Sequence, residues 1–510
     1  KKTPGGDLVA NGTSLSALLT LPNTHVLHQD IAKYLGMAAG ETKKLPRDFP
    51  SSTTLVFQLG TNNWQRQGEF APGSGILHEA HHDCFNDSIE GAKCFSVYPS
   101  RKQKQAQLSA HESDRIRIFP LEHDIPICES ISPVSTYRWH SMSDAEFDAY
   151  RARLAAFCSA FIDEIEAAHG RPITHAIAHH SFLNPVILCD VNKARRAAGK
   201  PQIPFSVFVH GTALKMFHNE LAGDNTTEFP MRFTPFVRTA VDGASALAKA
   251  VNVFIISEAE RQKLLAVYEG LATPVVLSPN GVNQKIFKPT AVSLEAVLAC
   301  LTTKPYEGSD LAPMPLPTAG FSHMVVFVGK FADWKRLDCL LRAAQLYEKS
   351  IAEDGGKVAT LVVGSGPPEA QKLYMDLAVE LQLQNTYFVG PKPQPDLAAM
   401  YSAASVGVFP SYEEPMGMVF IECMACGTPV IGADSGGPKD FVSPAVGTLV
   451  LETPALGDDK DRFVSDLAKT IVTSLKEDWK STKGGNALAL ALEKFSTLTQ
   501  VKAMAKSWGW

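Results

Sequence analysis

Long apolar runs are missing from this chain. Nothing in it approaches the ~18 consecutive apolar residues of a bilayer-spanning helix. The best runs, 324–328 (MVVFV) and 251–256 (VNVFII), have the length of buried strands. No transmembrane segment is expected, which leaves peripheral contact with a membrane open. An excess of basic charge is missing too, since 48 Lys and Arg stand against 53 Asp and Glu, a net charge of −5. That balance gives no sign of a nucleic-acid surface. Cysteine is sparse, nine in 510 residues, odd in number and irregular in spacing. A disulfide scaffold is excluded, and a reduced, cytoplasmic compartment is expected. No charged–apolar–small cleavage pattern follows Lys1, and a targeting segment removed from upstream of it stays open. Internal repeats and low-complexity tracts are absent as well.

What is present is an ordinary globular composition, 45% hydrophobic and 20% charged. At roughly 100–200 residues per domain the chain is too long for one core. The polar residues 1–53 read as an irregular arm. Then a strand at 54–59 (TLVFQL), a glycine loop (GEFAPGSG) and a helix (ILHEAHHDCF) begin an α/β alternation. Ser143 is placed to cap a helix over 144–168. THAIAH, PFSVFVH, VNVFIIS and TPVVLS read as strands, separated by helices near 183–198, 236–250 and 258–269. Four prolines between 305 and 317 read as a linker near 305–318. Beyond it come the strands MVVFVG, ATLVVG, TYFVG, VGVFPS and TPVIGA, with helices at 335–350, 367–382, 395–404 and 416–426. The expected organisation is an N-terminal α/β domain over 54–318 and a C-terminal one over 319–480. A helical segment, 481–510, would be free to cross back to the first. Such alternation makes doubly wound parallel sheets, whose ligands bind at the carboxyl ends of the strands.

The densest chemistry lies in 410–437, PSYEEPMGMVFIECMACGTPVIGADSGG. Pro415 is tolerated only at or before the first turn of a helix, so a helix starts near Met416. MGMVFIECMAC is apolar on almost every side, with Glu422 its only charge. A carboxylate there needs hydrogen-bond donors, from an internal salt bridge or from a ligand. Gly417 would leave the free amides of the helix start open to a phosphate. In 325–336, VVFVGKFADWKR, a strand ends at Gly329 and is followed by Lys330 and Lys335. They read either as solvated lysines or as two cations suited to a diphosphate at a strand-end cleft.

These segments resemble the retaining glycosyltransferases of the GT-B fold, in particular glycosyltransferase family 4. Glu414-x7-Glu422 followed by CMACGTPVI fits the family's Glu-x7-Glu signature, and Gly329-Lys330…Lys335 is similar to its Gly-Arg…Lys segment, with Lys in place of Arg. SPNGVNQKIFKP (278–289) and 388–411 extend the likeness, which is dense from 251 to 450 and thin before that, at Gly73, Gly75 and His210. The resemblance implies two doubly wound domains facing each other across a cleft. It further implies transfer of a hexose-type sugar, with retention, from a nucleotide-sugar donor (UDP- or GDP-sugar) to a hydroxyl acceptor of unspecified identity. No metal and no other cofactor would be essential. Glu422 would hold the ribose and Glu414 the donor sugar. Lys330, Lys335 and the amides of Gly417, Met418 and Val419 would hold the diphosphate, with Gly75 touching the phosphate and His210 near the anomeric centre. A glycoside phosphorylase on the same fold is the alternative.

Four other patterns compete for attention. His78-Glu79-Ala80-His81-His82 satisfies His-Glu-x-x-His, a zinc-hydrolase pattern through His78, Glu79 and His82, without a clear third ligand in sequence. Cys423-x-x-Cys426 falls inside the buried helix, where packing accounts for it. Asp459-Lys460-Asp461 sits in a charged stretch that reads as a solvated loop. Gly364-Ser365-Gly366 begins a dinucleotide fingerprint that lacks its third glycine.

Overall fold

The computed structural model describes residues 54–60, 73–101, 108–121, 143–181, 183–211, 214, 243–306, 308–452 and 456–510. The arm over 1–53 and most of the glycine loop lie outside them. The described chain divides into two units. One runs to Pro279 and takes in Gln500–Trp510; the other is Asn280–Thr499.

The first unit is built on seven strands: β1 (Thr54–Leu59), β2 (Ala92–Arg101), β3 (Ile116–Leu121), β4 (His175–His179), β5 (Phe205–Val209), β6 (Val253–Ile255) and β7 (Val275–Leu277). All pair in parallel, in the order β3-β2-β1-β4-β5-β6-β7. The second unit has six: β8 (His323–Val328), β9 (Val358–Val363), β10 (Thr386–Phe388), β11 (Val406–Phe409), β12 (Val430–Ala433) and β13 (Gly447–Val450). These are also parallel, in the order β10-β9-β8-β11-β12-β13. The expectation of two doubly wound α/β sheets is met. Strand order reverses between β1 and β4 in one unit and between β8 and β11 in the other, and at such points the loops part to leave a crevice.

Central strands are buried end to end, which is why VATLVV (β9) and HAIAH (β4) read as continuous runs rather than alternations. Their cover is amphipathic. Helix Asp144–His169 starts at a capping box, in which Ser143 and Glu146 satisfy each other's amides, and stops at Gly170 with φ +64°. Phe147, Tyr150, Leu154, Cys158, Phe161, Ile162 and Ile165 fall on its one buried face and join the first core. Helix Leu337–Glu353 does the same for the second.

Two expectations are corrected. The boundary between units falls at 279/280 and not near 305–318. The prolines of 305–317 do not loosen the chain, because the segment around them is tied into the second unit. Thr302 bridges Pro315, the Thr303 amide donates to the Met314 carbonyl, the Lys304 amide donates to Phe388 of β10, and Leu316 is buried. Prolines need no amide partner, so an ordered extended stretch holds them as readily as a linker does. The C-terminal helices are Trp479–Lys494 and Thr497–Ser507, and only Gln500–Trp510 group with the first unit. The helix read over 236–250 is described only from 243 onward. Among the described residues no helix is long and apolar enough to cross a membrane.

Candidate functional site

In the second unit the sequence-derived residues converge on the β8/β11 switch point. β8 ends in Gly329 and Lys330, then a 3-10 turn, Asp333–Lys335, leads into helix Leu337–Glu353. β11 leads to Ser411 and the loop that carries Glu413 and Glu414. The Tyr412 amide donates to the Trp334 carbonyl at 2.7 Å and ties the two loops together. Lys335 Nζ donates to Glu414 Oε2 at 2.5 Å, both residues buried, with the ammonium over the Trp334 ring. Lys335 was expected to face a cleft; it is instead neutralised by the very carboxylate expected to hold the sugar. Lys330 is exposed and has no ion-pair partner among the described residues.

The Glu414 loop is held from behind. The Gly437 amide donates to the Glu414 carbonyl at 2.7 Å, and the Glu413 amide donates to Ser435 Oγ at 2.8 Å. Gly436 sits at φ +71°, and a Cβ there would meet the Glu414 carbonyl at 2.3 Å. Glu413 itself is left-handed, φ +45°, an uncommon conformation for a residue with a side chain. Next to the pair, Arg336, also left-handed, is buried against Glu452 and covers the Tyr412 ring.

Helix Met418–Ala425 begins after Gly417, whose φ is +90°, and no side chain caps its N-terminus. The amides of Gly417, Met418 and Val419 therefore keep the positive end of the helix dipole unshielded by a capping oxygen. Glu422 is partly buried on this helix, and the Tyr401 hydroxyl lies 3.4 Å from its Oε2. Desolvation pushes its carboxyl up to about 8, against a small opposing effect of the Tyr401 hydrogen bond. Cys423 and Cys426 are buried free thiols; burial pushes Cys426 up to about 12, so both are inert packing residues.

In the first unit, Gly75 lies in the first turn of helix Gly73–Ser88, and His210 directly follows β5. Gly211 turns the chain there at φ +81°, and a Cβ on it would meet Glu260 Oε2 at 2.6 Å. His210 is not alone. His78 from the first helix and His179 and His180 from the end of β4 surround it, all buried. Nε2 of His78 lies 3.3 Å, and Nδ1 of His179 2.8 Å, from His210 Nε2. Burial first, then the neighbouring imidazoles, hold His78, His179 and His210 well below the usual histidine value, and burial holds His180 at about 3. His179 and His180 were not singled out from the sequence. Their signal was the His-His pair ending the predicted strand THAIAH, beside a switch point.

The zinc-hydrolase pattern is not assembled as spaced. His82 Nδ1 bonds Ser96 Oγ at 2.7 Å, while His78 turns to the cluster around His210. Asp459–Asp461 lies on helix Leu456–Lys476 rather than in a loop, and Lys460 pairs with Asp338. Gly364 and Gly366 serve close packing, since a Cβ at 364 would strike the Gly329 carbonyl and one at 366 would meet Phe331.

Residues 318–470 match the family model described as glycosyl transferases group 1. The chain is 30% identical over 239 residues to a D-inositol 3-phosphate glycosyltransferase of Streptosporangium roseum. That match covers 46% of this chain and 49% of the relative, so the chain spans about half of that protein's length. In fold it is similar to sucrose-phosphate synthase from Thermosynechococcus elongatus, with TM-score 0.60 and 22% identity over 89% of this chain and 98% of that one. It is similar also to Anabaena HepE in complex with UDP and glucose, with TM-score 0.56 and 18% identity over 89% and 99% of the two chains. The similarity to glycosyl transferases group 1 thus falls on residues 318–470 of the second unit, and the two Rossmann-like units share the GT-B fold of their structural neighbours.

Proposed function

We propose that this chain is a retaining glycosyltransferase of family 4 that moves a hexose-type sugar from a UDP- or GDP-sugar to a hydroxyl acceptor, without an essential metal. The observation that carries the reading is Glu422. It is a carboxyl on an otherwise apolar helix, with Tyr401 as its hydrogen-bond partner among the described residues and a proton affinity raised to about 8. Such a group lacks hydrogen-bond donors, and a ribose diol supplies two. One helical turn earlier, the uncapped amides of Gly417, Met418 and Val419 suit the diphosphate, as do Lys330 and Lys335. Glu414 then takes hydroxyls of the sugar. As the sugar–phosphate bond breaks, negative charge grows on the diphosphate, and preorganised amides and ammonium groups stabilise it. In the same proposal Gly75 and His210 serve the phosphate and the sugar. The likeness to a D-inositol 3-phosphate glycosyltransferase supports sugar transfer to a hydroxyl and leaves this acceptor to be identified.

The test is a thermal-shift series on the full chain with UDP, GDP and ADP, repeated with Glu422→Gln. One diphosphate should raise the melting temperature by mass action and lose that effect in the variant. No shift with any of the three defeats the reading. Release of a sugar phosphate from a glycoside by inorganic phosphate, without nucleotide binding, would favour a phosphorylase.

A further inference from the structure

At the β1/β4 switch point of the first unit, three imidazoles from three different elements point ring nitrogens at one another. They are His78 on helix Gly73–Ser88, His180 just after β4 and His210 just after β5. One ligand atom from each lies within 4.8 Å of the other two, and all three residues are buried. We propose that His78, His180 and His210 form a binding site for one divalent transition-metal ion of the zinc class.

The geometry comes first. An ion held tetrahedrally with metal–nitrogen distances of 2.0–2.1 Å spaces its ligand nitrogens roughly 3.3 Å apart. His78 Nε2 and His210 Nε2 are already 3.3 Å apart, so one edge of the tetrahedron exists. His180 completes the face by closing about 1.5 Å at most, from 4.8 Å to that spacing. No hydrogen bond among the described residues holds the His180 ring against that rotation, because neither of its nitrogens has a partner.

The polar accounting points the same way. Both nitrogens of His180 are buried and unpartnered among the described residues, and an ion at this site would take up one of them. Leaving a buried donor or acceptor unmade is destabilising. His180 also sits at φ +68°, a left-handed conformation that side chains rarely adopt. Strain and unmet polar groups on one residue are what a ligand-holding position shows, since binding repays both. His180 differs in this from its neighbours, since His81 bonds Gln500 through Nε2 at 2.6 Å and His82 bonds Ser96, whereas neither nitrogen of His180 is paired.

Chemistry narrows the ligand. Metals bind imidazole through its neutral form, which all three buried rings can offer. An all-nitrogen donor set suits zinc, cobalt, nickel or copper and not magnesium or calcium, which take oxygen. Three ligands leave a fourth position for water or another donor. His179 Nδ1, 2.8 Å from the same His210 Nε2, is a rival for that lone pair and should weaken binding. The site is distinct from the His-Glu-x-x-His spacing, for it uses His78 without His82. It does not rest on the glycosyltransferase reading, although a bound ion would withdraw His210 from the role given to it there.

Direct binding tests it. Full-length chain stripped with EDTA is dialysed against buffered Zn²⁺ and its metal content measured, with Co²⁺ absorption as a second readout of coordination. One equivalent per chain is expected, with a visible Co²⁺ band of the four-coordinate type. His180→Asn should weaken binding at least tenfold, since Asn accepts a left-handed backbone but offers no imidazole. His81→Gln, just outside the trio, should bind as the parent does. If His180→Asn fails to fold, His78→Gln gives the same comparison from another element. A parent chain that takes up no stoichiometric ion, or a folded trio variant that binds as tightly as the parent, overturns the site.

Discussion

Lys335 and Glu414 hold each other at 2.5 Å, across loops that leave two neighbouring parallel strands. Two groups expected to grip different parts of one donor thus form a nearly desolvated ion pair with each other. Removing one partner of such a pair leaves a buried charge, at about 3–5 kcal/mol. Lys335→Met should therefore both weaken nucleoside diphosphate binding and lower the melting temperature. Lys335→Met with Glu414→Gln should recover much of the stability but none of the binding. Denaturant melts and calorimetry of the four chains check this; additive stability losses would remove the pair as a unit.

How much of this was legible beforehand follows from what each feature needs. The sheets were readable because buried parallel strands are apolar runs between helical periodicities, as in VATLVV and HAIAH. Glu414 and Glu422 stand out in the sequence because they share one short motif, and Lys335 because it follows Gly329 and Lys330 in another. The Lys335–Glu414 pairing was not, since it depends on β8 lying beside β11, a fact about strand order. The same limit hid the histidine trio. His180 and His210 meet His78 only because β4 and β5 follow β1 in the sheet. The prolines of 305–317 misled for another reason: proline marks backbone without amide donors, and such backbone is ordered here by neighbouring carbonyls and amides.

Binding of the donor should depend on pH through Glu422. Its carboxyl is raised to about 8 by desolvation, so it is mostly protonated at neutral pH in the free chain. Ribose hydroxyls donate best to the ionised form. Affinity should therefore climb as pH rises toward 8, by up to about tenfold per unit, and level off above it. Titration calorimetry between pH 6.5 and 9 measures the slope. Glu422→Gln should flatten it, and a slope that persists in the variant assigns it to another group.

Acid should destabilise the first unit. His78, His81, His175, His179, His180 and His210 all have folded-state values below the ordinary 6.5, mainly from burial, with His81 near 4 and His175 and His180 near 3. Between those values and 6.5 the unfolded chain binds more protons. Stability is therefore fully present above about pH 6.5 and falls as pH drops toward 4. Glu79 and Glu422, both raised to about 8, act oppositely and subtract stability as pH rises from 4.5 to 8. Six imidazoles outnumber these two carboxyls and that of Glu348, which burial also raises, so melting temperature should peak near pH 6.5 and fall more steeply on the acid side. A melting temperature that rises from pH 6.5 to 5 would contradict the buried neutral state of these rings.

Sugar transfer should survive chelation. If ammonium groups and helix amides carry the charge of the departing diphosphate, dialysis against EDTA leaves the rate unchanged. The rate would rise where an ion had occupied His210. The measurement is donor turnover before and after chelation, with metal content followed in parallel. Loss of turnover that magnesium or manganese restores would show that the diphosphate needs a cation beyond Lys330 and Lys335.

The two glutamates should fail differently. Glu422 is assigned to the ribose, a part of the donor that does not react, so Glu422→Gln removes binding shared by ground and transition states and mainly raises donor KM. Glu414 is assigned to the sugar, whose ring gains positive charge as the bond to phosphate breaks; its carboxylate is already aimed by Lys335, and its backbone carbonyl is held by the Gly437 amide. Glu414→Gln keeps a hydrogen-bonding group of the same shape but loses the charge, so it should mainly lower kcat, by roughly 10²–10³. It also frees Lys335, which can then serve the diphosphate more strongly, and donor KM should stay level or fall. Steady-state kinetics of both variants at saturating acceptor, after each is shown to be folded, separates these outcomes. If Glu414→Gln turns over normally, its carboxylate exists to neutralise Lys335, and the sugar must be held by other residues.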